Sequence, residues 1–281
     1  MTIVAIVKGM NPQDMAVEAL EMVDGQEALS EEKPFLIKPN YLNASHPSTG
    51  ITTDSRVIDG VARFLKQHGA KEIVVGEGSG FADTFEAFRI AGVDAVAKRW
   101  NIKLVDLNKD DFIQVSPPKP FSLKRVKIAK TALESTIVSV PKLKLHRIAG
   151  VSLSLKNMMG AMTPKGSMHS NLNSNIADLA SIIKPSIAVI DGIIGGEGHE
   201  SSGNPVQMNL VIAGLDPVAV DTVGAAVMGI PPKDVKHLLL AEKKGLGTCD
   251  LNQIKIVGEP IERVRKNFRR SILYSFLTHL G

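Results

Sequence analysis

Cysteine is almost absent from this sequence, and what little there is sets a first limit. Cys249 is the single one, so no disulfide forms within the chain and no cysteine-ligated cluster can be built from it alone. That usage fits a reducing compartment, and the expected location is the cytoplasm. Aromatic residues make up 4% of the chain, with one Trp and two Tyr among them, which leaves few rings to stack on nucleic-acid bases. No apolar run approaches the roughly 18 residues of a membrane span. The opening MTIVAIVKGM is shorter than that and lacks a basic lead-in and cleavage site, so it is expected to be a first strand. A P-loop is missing as well: Gly76-Glu77-Gly78-Ser79-Gly80 has no Gly-Lys-Ser/Thr after it and lacks the GxGxxG spacing of a dinucleotide fingerprint.

Net charge is concentrated in one place. The chain's net charge is +4, and residues 261–281 hold Arg263, Arg265, Lys266, Arg269 and Arg270 against Glu262 alone. The body is therefore balanced, and no basic groove for nucleic acid is expected. Ile272, Leu273, Phe276 and Leu280 beside those cations predict a basic amphipathic C-terminal helix over 261–281, docking on the body or on a second subunit of a homo-oligomer.

What is present is a succession of short apolar runs that alternate with amphipathic segments. Residues 2–7, 35–38, 72–75, 101–107, 137–140, 186–190, 210–214 and 254–257 read as strands, and 14–23, 55–67, 84–96, 175–183 and 218–228 as helices. The pattern predicts an α/β domain over 1–260, in one body or two lobes, with a mostly parallel sheet flanked by helices. In such folds the ligand site lies at the carboxyl ends of the strands.

Polar groups follow those strands repeatedly. Lys38-Pro39-Asn40 ends one, Glu77 another, and Thr53 and Asp54 stand at the start of the 55–67 helix. Asp54 there is either a plain N-cap or part of an anion site at the helix N-terminus. The densest stretch is Ser139–Gly160, SVPKLKLHRIAGVSLSLKNMMG. An extended course puts Lys142, Lys144 and His146 on one face, as a solvated edge or as a site wall. A second alternation at Val151, Leu153 and Leu155 leads to Lys156-Asn157, which favours the site wall. Residues 163–171 read as a polar loop able to act as a lid. After the 186–190 strand, Asp191, Glu197, His199 and Glu200 fall in a Gly-rich loop and form a candidate divalent-metal or acid–base set.

Taken in series, these residues resemble the domain-of-unknown-function family 362. The likeness rests on Lys38-Pro39-Asn40, Thr52-Thr53-Asp54 with Gly69-Ala70-Lys71, Pro141–His146, Ser154–Gly160, His169, Asp191-Gly192 and Asp216-Pro217-Val218-Ala219-Val220-Asp221. It implies an α/β fold with a shared polar site, and no general reaction. Some members carry ferredoxin-type iron–sulfur segments. This chain has no CxxCxxC run, so an electron-transfer role implies a separate iron–sulfur protein partner.

The expected function is to bind, and transform, a small anionic ligand, carboxylate or phosphate. His146, Lys156 and Glu77 are the candidate catalytic groups. Lys38, Asn40, Thr53, Asp54, Lys142, Lys144 and Asn157 are the candidate binding groups, with Asp191, Glu197 and His199 for a divalent metal. The alternative is a redox accessory module that docks an iron–sulfur protein through the basic tail.

Overall fold

A computed structural model describes residues 1–29 and 33–270. In chain order its strands are β1 Thr2–Lys8, β2 Phe35–Pro39, β3 Ile73–Glu77, β4 Lys103–Asp106, β5 Phe112–Val115, β6 Val126–Ala129, β7 Thr136–Val140, β8 Lys142–His146, β9 Gly150–Val151, β10 Met162–Thr163, β11 Ile187–Glu197, β12 Asn204–Gly214 and β13 Ile254–Gly258. The helices are α1 Pro12–Met22, α2 Ser55–Gln67, α3 Thr84–Ala91, α4 Val93–Trp100, α5 Lys130–Glu134, α6 Ser154–Asn157, α7 Leu172–Ala180, α8 Pro217–Val227, α9 Lys236–Lys243 and α10 Ile261–Val264.

The main sheet runs β13-β1-β12-β11-β7-β2-β3-β4, with β8 and β9 attached beside β11. From β11 to β4 every neighbouring pair is parallel, as is β1–β13, and β12 alone opposes both its neighbours. The α/β class and the largely parallel sheet are as the sequence pattern predicts. Side chains alternate across the strands: Val4, Ile6, Leu36 and Ile137 enter one apolar cluster, while Ala5, Val7, Phe35, Ile37 and Val138 enter another. The second cluster is closed by α1 to α4. The first is closed by α6 to α9 and by a small antiparallel sheet, β10-β6-β5.

Local chemistry sets the helix starts. Asn11 accepts the amides of Gln13 and Asp14 before Pro12 opens α1, and Asp54 accepts the Arg56 amide at 2.9 Å to start α2. Gly92, at φ 80°, splits the 84–96 segment into α3 and α4. Three expectations change. The Gly-rich stretch after Asp191 is strand: β11 continues through Glu197 and pairs with β12 as far as Asn204, because glycine leaves room for the close crossing of Gly195 and Gly196 over Gly50. The alternation at Val151–Leu155 turns helical at Ser154, where Asp221 captures the free amides. Residues 165–171 are a 3-10 helix anchored by the buried Met168.

Sheet order places the crevice. Going from β2 the chain adds β3 and β4 on one side, then returns to add β7 and β11 on the other. The order therefore reverses between β2 and β7, and at such a switch point the loops leave in opposite directions and open a gap at the carboxyl ends.

The helix expected over 261–281 is confined, among the described residues, to Ile261–Val264; residues 265–269 have no regular secondary structure, and Arg270 forms an isolated bridge with Gly198. Arg269 Nε donates to Glu197 Oε1 at 2.6 Å, its amide donates to Glu197 Oε2 at 2.8 Å, and Gly198 donates its N–H to Arg269 O at 2.9 Å. Ile272, Leu273, Phe276 and Leu280 lie outside the described residues.

Candidate functional site

Asn157 closes the switch-point gap. Its Nδ2 donates to Lys38 O on β2 at 2.9 Å and to Ser139 Oγ on β7 at 3.1 Å. Its Oδ1 accepts from Lys38 Nζ at 3.2 Å and Asn40 Nδ2 at 3.4 Å. Asn157 holds this position because α6 is fastened from beneath: the buried Asp221 of α8 accepts the N–H groups of Ser154 at 2.7 Å and Leu155 at 2.9 Å. Burial outweighs those two hydrogen bonds and raises the Asp221 carboxyl to about 7.

Under the gap lies a layer of ion pairs. Lys38 Nζ donates to Glu77 Oε1 at 2.8 Å, to Pro39 O at 3.1 Å and to Asn157 Oδ1, which uses all three of its N–H bonds. Glu77 in turn accepts the amides of Gly78 at 2.7 Å and Tyr41 at 3.0 Å. Gly160 packs directly on this pair, where a Cβ would run into Glu77 Oε1 and Lys38 Nζ. Lys142 Nζ meets Asp191 Oδ2 at 2.7 Å, with both side chains fully buried. Asp191 also accepts the Asp54 and Ile193 amides, at 2.7 and 3.0 Å. Thr53 Oγ1 donates to Val140 O at 2.8 Å and accepts the Asn40 amide at 2.9 Å. Lys38, Thr53, Asp54, Lys142 and Asp191 thus sit within the frame that shapes the gap, with their polar groups satisfied inside the protein.

Above this layer is a cavity of about 440 Å³. Of the residues singled out in the sequence, Asn40, Glu77, Lys144, His146, Lys156, Asn157, His169 and His199 line it. Glu200, from the same set, lines it too, and Arg147, Lys165, Leu42, Phe81 and Met159 add to the wall. Arg147 and Lys165 carried no pattern of their own in the sequence, because their approach depends on the turn after β8 and on the 3-10 helix.

The lysines divide into two kinds. Lys38 and Lys142 face carboxylates. Lys144 Nζ donates to Ile51 O at 2.9 Å and to Glu200 O at 3.4 Å, both neutral acceptors. Burial, and then the neighbouring Lys156 ammonium, depress its pKa to about 7. Lys156, half-buried, has no hydrogen bond to the protein among the described residues, and burial lowers it to about 8 against the pull of Glu200.

His146 is a donor by construction. Its Nδ1 accepts the amides of Ile148 at 3.2 Å and Ala149 at 3.1 Å, so the ring proton is on Nε2. Burial, with Lys156 and Lys144 beside it, pushes its pKa far down and keeps it neutral. Nε2 lies 3.7 Å from Glu200 Oε1. Arg147 Nε reaches the same oxygen at 3.0 Å, and the Arg147 amide donates to Glu200 Oε2 at 3.2 Å.

The metal set is not assembled. Asp191 is held by Lys142, Glu197 by Arg269, and His199 Nδ1 faces Ser201 Oγ at 2.9 Å. Among the described residues no group of three or more His, Cys, Asp or Glu stands where it could share an ion. These three residues do not fit a resident metal, since two of them already neutralise cations. Nor is any described helix long and apolar enough to cross a membrane.

The fold and cavity define an α/β protein with a cationic crevice at its strand ends. The chain belongs to the family described as "Domain of unknown function (DUF362)", whose model matches residues 35–226, from β2 to α8. That span holds every lining residue of the cavity. A curated relative, the "Thylakoid-associated protein sll1697" of Synechocystis sp. (strain ATCC 27184 / PCC 6803 / Kazusa), is 23% identical over 245 residues, covering 83% of this chain and 75% of the relative. No solved structure matches.

Proposed function

We propose that the cavity binds a small anion, a carboxylate or a phosphate, through Lys144, Lys156, Arg147 and the Nε2–H of His146. The observation that carries this reading is the contrast among the lysines. Lys38 and Lys142 are neutralised by carboxylates at 2.8 and 2.7 Å, whereas Lys144 and Lys156 face the cavity with no carboxylate at hydrogen-bonding distance. Holding two desolvated cations together costs free energy, and an anion between them returns it. Lysine suits this role as a point charge that tolerates either anion geometry.

The apolar side of the wall, Leu42, Phe81 and Met159, suits a ligand with a carbon skeleton as well as a charged head. The single cysteine fits a reducing setting such as the cytoplasm.

A thermal-shift series tests the reading. Inorganic phosphate and simple carboxylates should raise the melting temperature of the wild-type protein in a saturable way. The rise should vanish in Lys156→Met and Lys144→Met and persist in Lys233→Met, a change at an exposed position. Equal shifts in all four proteins would rule the cavity out as the binding place.

A further inference from the structure

We propose that Lys156 is an imine-forming amine, and that the ligand is a small oxo acid whose carbonyl carbon Lys156 Nζ attacks while Arg147 and Lys144 hold its carboxylate. This rests on the anion-binding reading above and adds a covalent step to it.

The geometry separates Lys156 from the other buried cations. Lys38 has three acceptors, Lys142 has Asp191, and Lys144 has the Ile51 and Glu200 carbonyls. A lysine kept only for charge gains from such contacts. Lys156 has no hydrogen bond among the described residues, yet the chain is held on both sides of it. Asp221 holds the amides of the two residues before it, and Asn157, the residue after it, makes four side-chain hydrogen bonds across β2 and β7. A fixed stem with a free amine tip is the arrangement a nucleophile needs.

The surroundings supply the remaining roles. A lysine desolvated by burial is partly neutral near pH 7. With its pKa at about 8, about one Lys156 amine in ten is neutral at that pH, against about one in three thousand for an ordinary lysine. His146, locked as the neutral Nε2–H form, donates to the carbonyl oxygen without itself carrying charge. Glu200 lies in the same wall, its Oε1 3.7 Å from His146 Nε2, and supplies a carboxylate for proton relay.

The step balances without any redox partner. The amine lone pair forms the C–N bond while the carbonyl π pair moves to oxygen, which takes a proton. The resulting carbinolamine loses its hydroxyl as water after a second protonation, and nitrogen gives up both of its hydrogens. Amine and carbonyl become imine and water.

Pyruvate with cyanoborohydride, which reduces imines and leaves ketones largely untouched, provides the test on the full-length protein. Peptide mapping by mass spectrometry should find a carboxyethyl group on Lys156 at a yield about tenfold or more above any surface lysine, in keeping with its larger neutral fraction. The rate of labelling should rise with pH to a midpoint near 8, and Lys156→Arg, checked for an unchanged circular-dichroism spectrum, should lose the site-selective label. A label spread evenly over surface lysines would overturn the proposal, and that readout needs no variant. Lactate, with the same carboxylate and no carbonyl, separates the two readings. Stabilisation by lactate and pyruvate alike with no Lys156 adduct would leave anion binding standing and refute the imine. No stabilisation by lactate, pyruvate or phosphate, and no adduct, would refute both.

Discussion

Asp221 on α8 accepts the backbone N–H of Ser154 at 2.7 Å, and through that contact a residue outside the cavity holds the helix that carries Lys156. Asp221→Ala leaves two buried amides without partners, at about 1–3 kcal/mol each. Chemical denaturation should show the loss, and amide exchange at 154–157 should quicken. Asp221→Asn keeps an acceptor for one of the two amides and turns an NH2 donor towards the other, so it should recover only part of the alanine loss.

The Lys38–Glu77 pair should behave as a buried unit. Removing one partner strands the other charge, so Lys38→Met or Glu77→Leu alone should cost about 3–5 kcal/mol in denaturant unfolding. The double variant should recover part of that loss, giving a coupling energy in a double-mutant cycle. Additive losses would show that the pair contributes nothing as a pair.

The pH dependence follows from three shifted groups. Lys144 at about 7 and Lys156 at about 8 lie below the ordinary lysine value of 10.5, so the unfolded chain binds more protons between those values. Stability should therefore rise as pH increases from about 7 towards 10, and Lys156→Met should flatten part of that rise. Asp221 is raised from 3.8 to about 7. There the folded state holds the proton more tightly, so its contribution should fall as pH climbs from about 4 to 7 and vanish in Asp221→Asn. Melting curves across pH, taken as differences from each variant, check both signs.

The contact of Arg269 with Glu197 ties the tail to the end of β11, next to the His199–Ser201 turn of the cavity wall. Arg269→Ala should speed hydrogen exchange at 198–203 and leave exchange in β2 and β7 unchanged. Uniform exchange across the sheet edge would show that the tail does not steady this turn.

Much of this arrangement is legible in the sequence, and the limit falls at identifiable residues. Apolar runs ending in Lys38 and Glu77 mark strands with polar ends, because a parallel strand covered on both faces must be apolar until it leaves the sheet. Lys142 and Lys144 have the same alternation in the sequence and opposite fates. Lys142 meets Asp191 because β8 pairs with β11 in the register that sets those two residues opposite each other, and no local pattern carries that register. Asp216 and Asp221 both lie near the start of α8. Only Asp216 caps it, accepting the Val218 and Ala219 amides, while Asp221 reaches a helix more than sixty residues earlier in the chain. Glu197 looked like a metal ligand because Arg269, its counter-charge, is 72 residues away.

The most direct test of the cationic cavity is anomalous diffraction from crystals soaked in selenate or tungstate. A heavy-atom peak is expected within hydrogen-bonding reach of Lys156 Nζ, Lys144 Nζ and His146 Nε2, lost in Lys156→Met crystals. A cavity without a peak, with the anion instead on the arginines of residues 261–270, would contradict it.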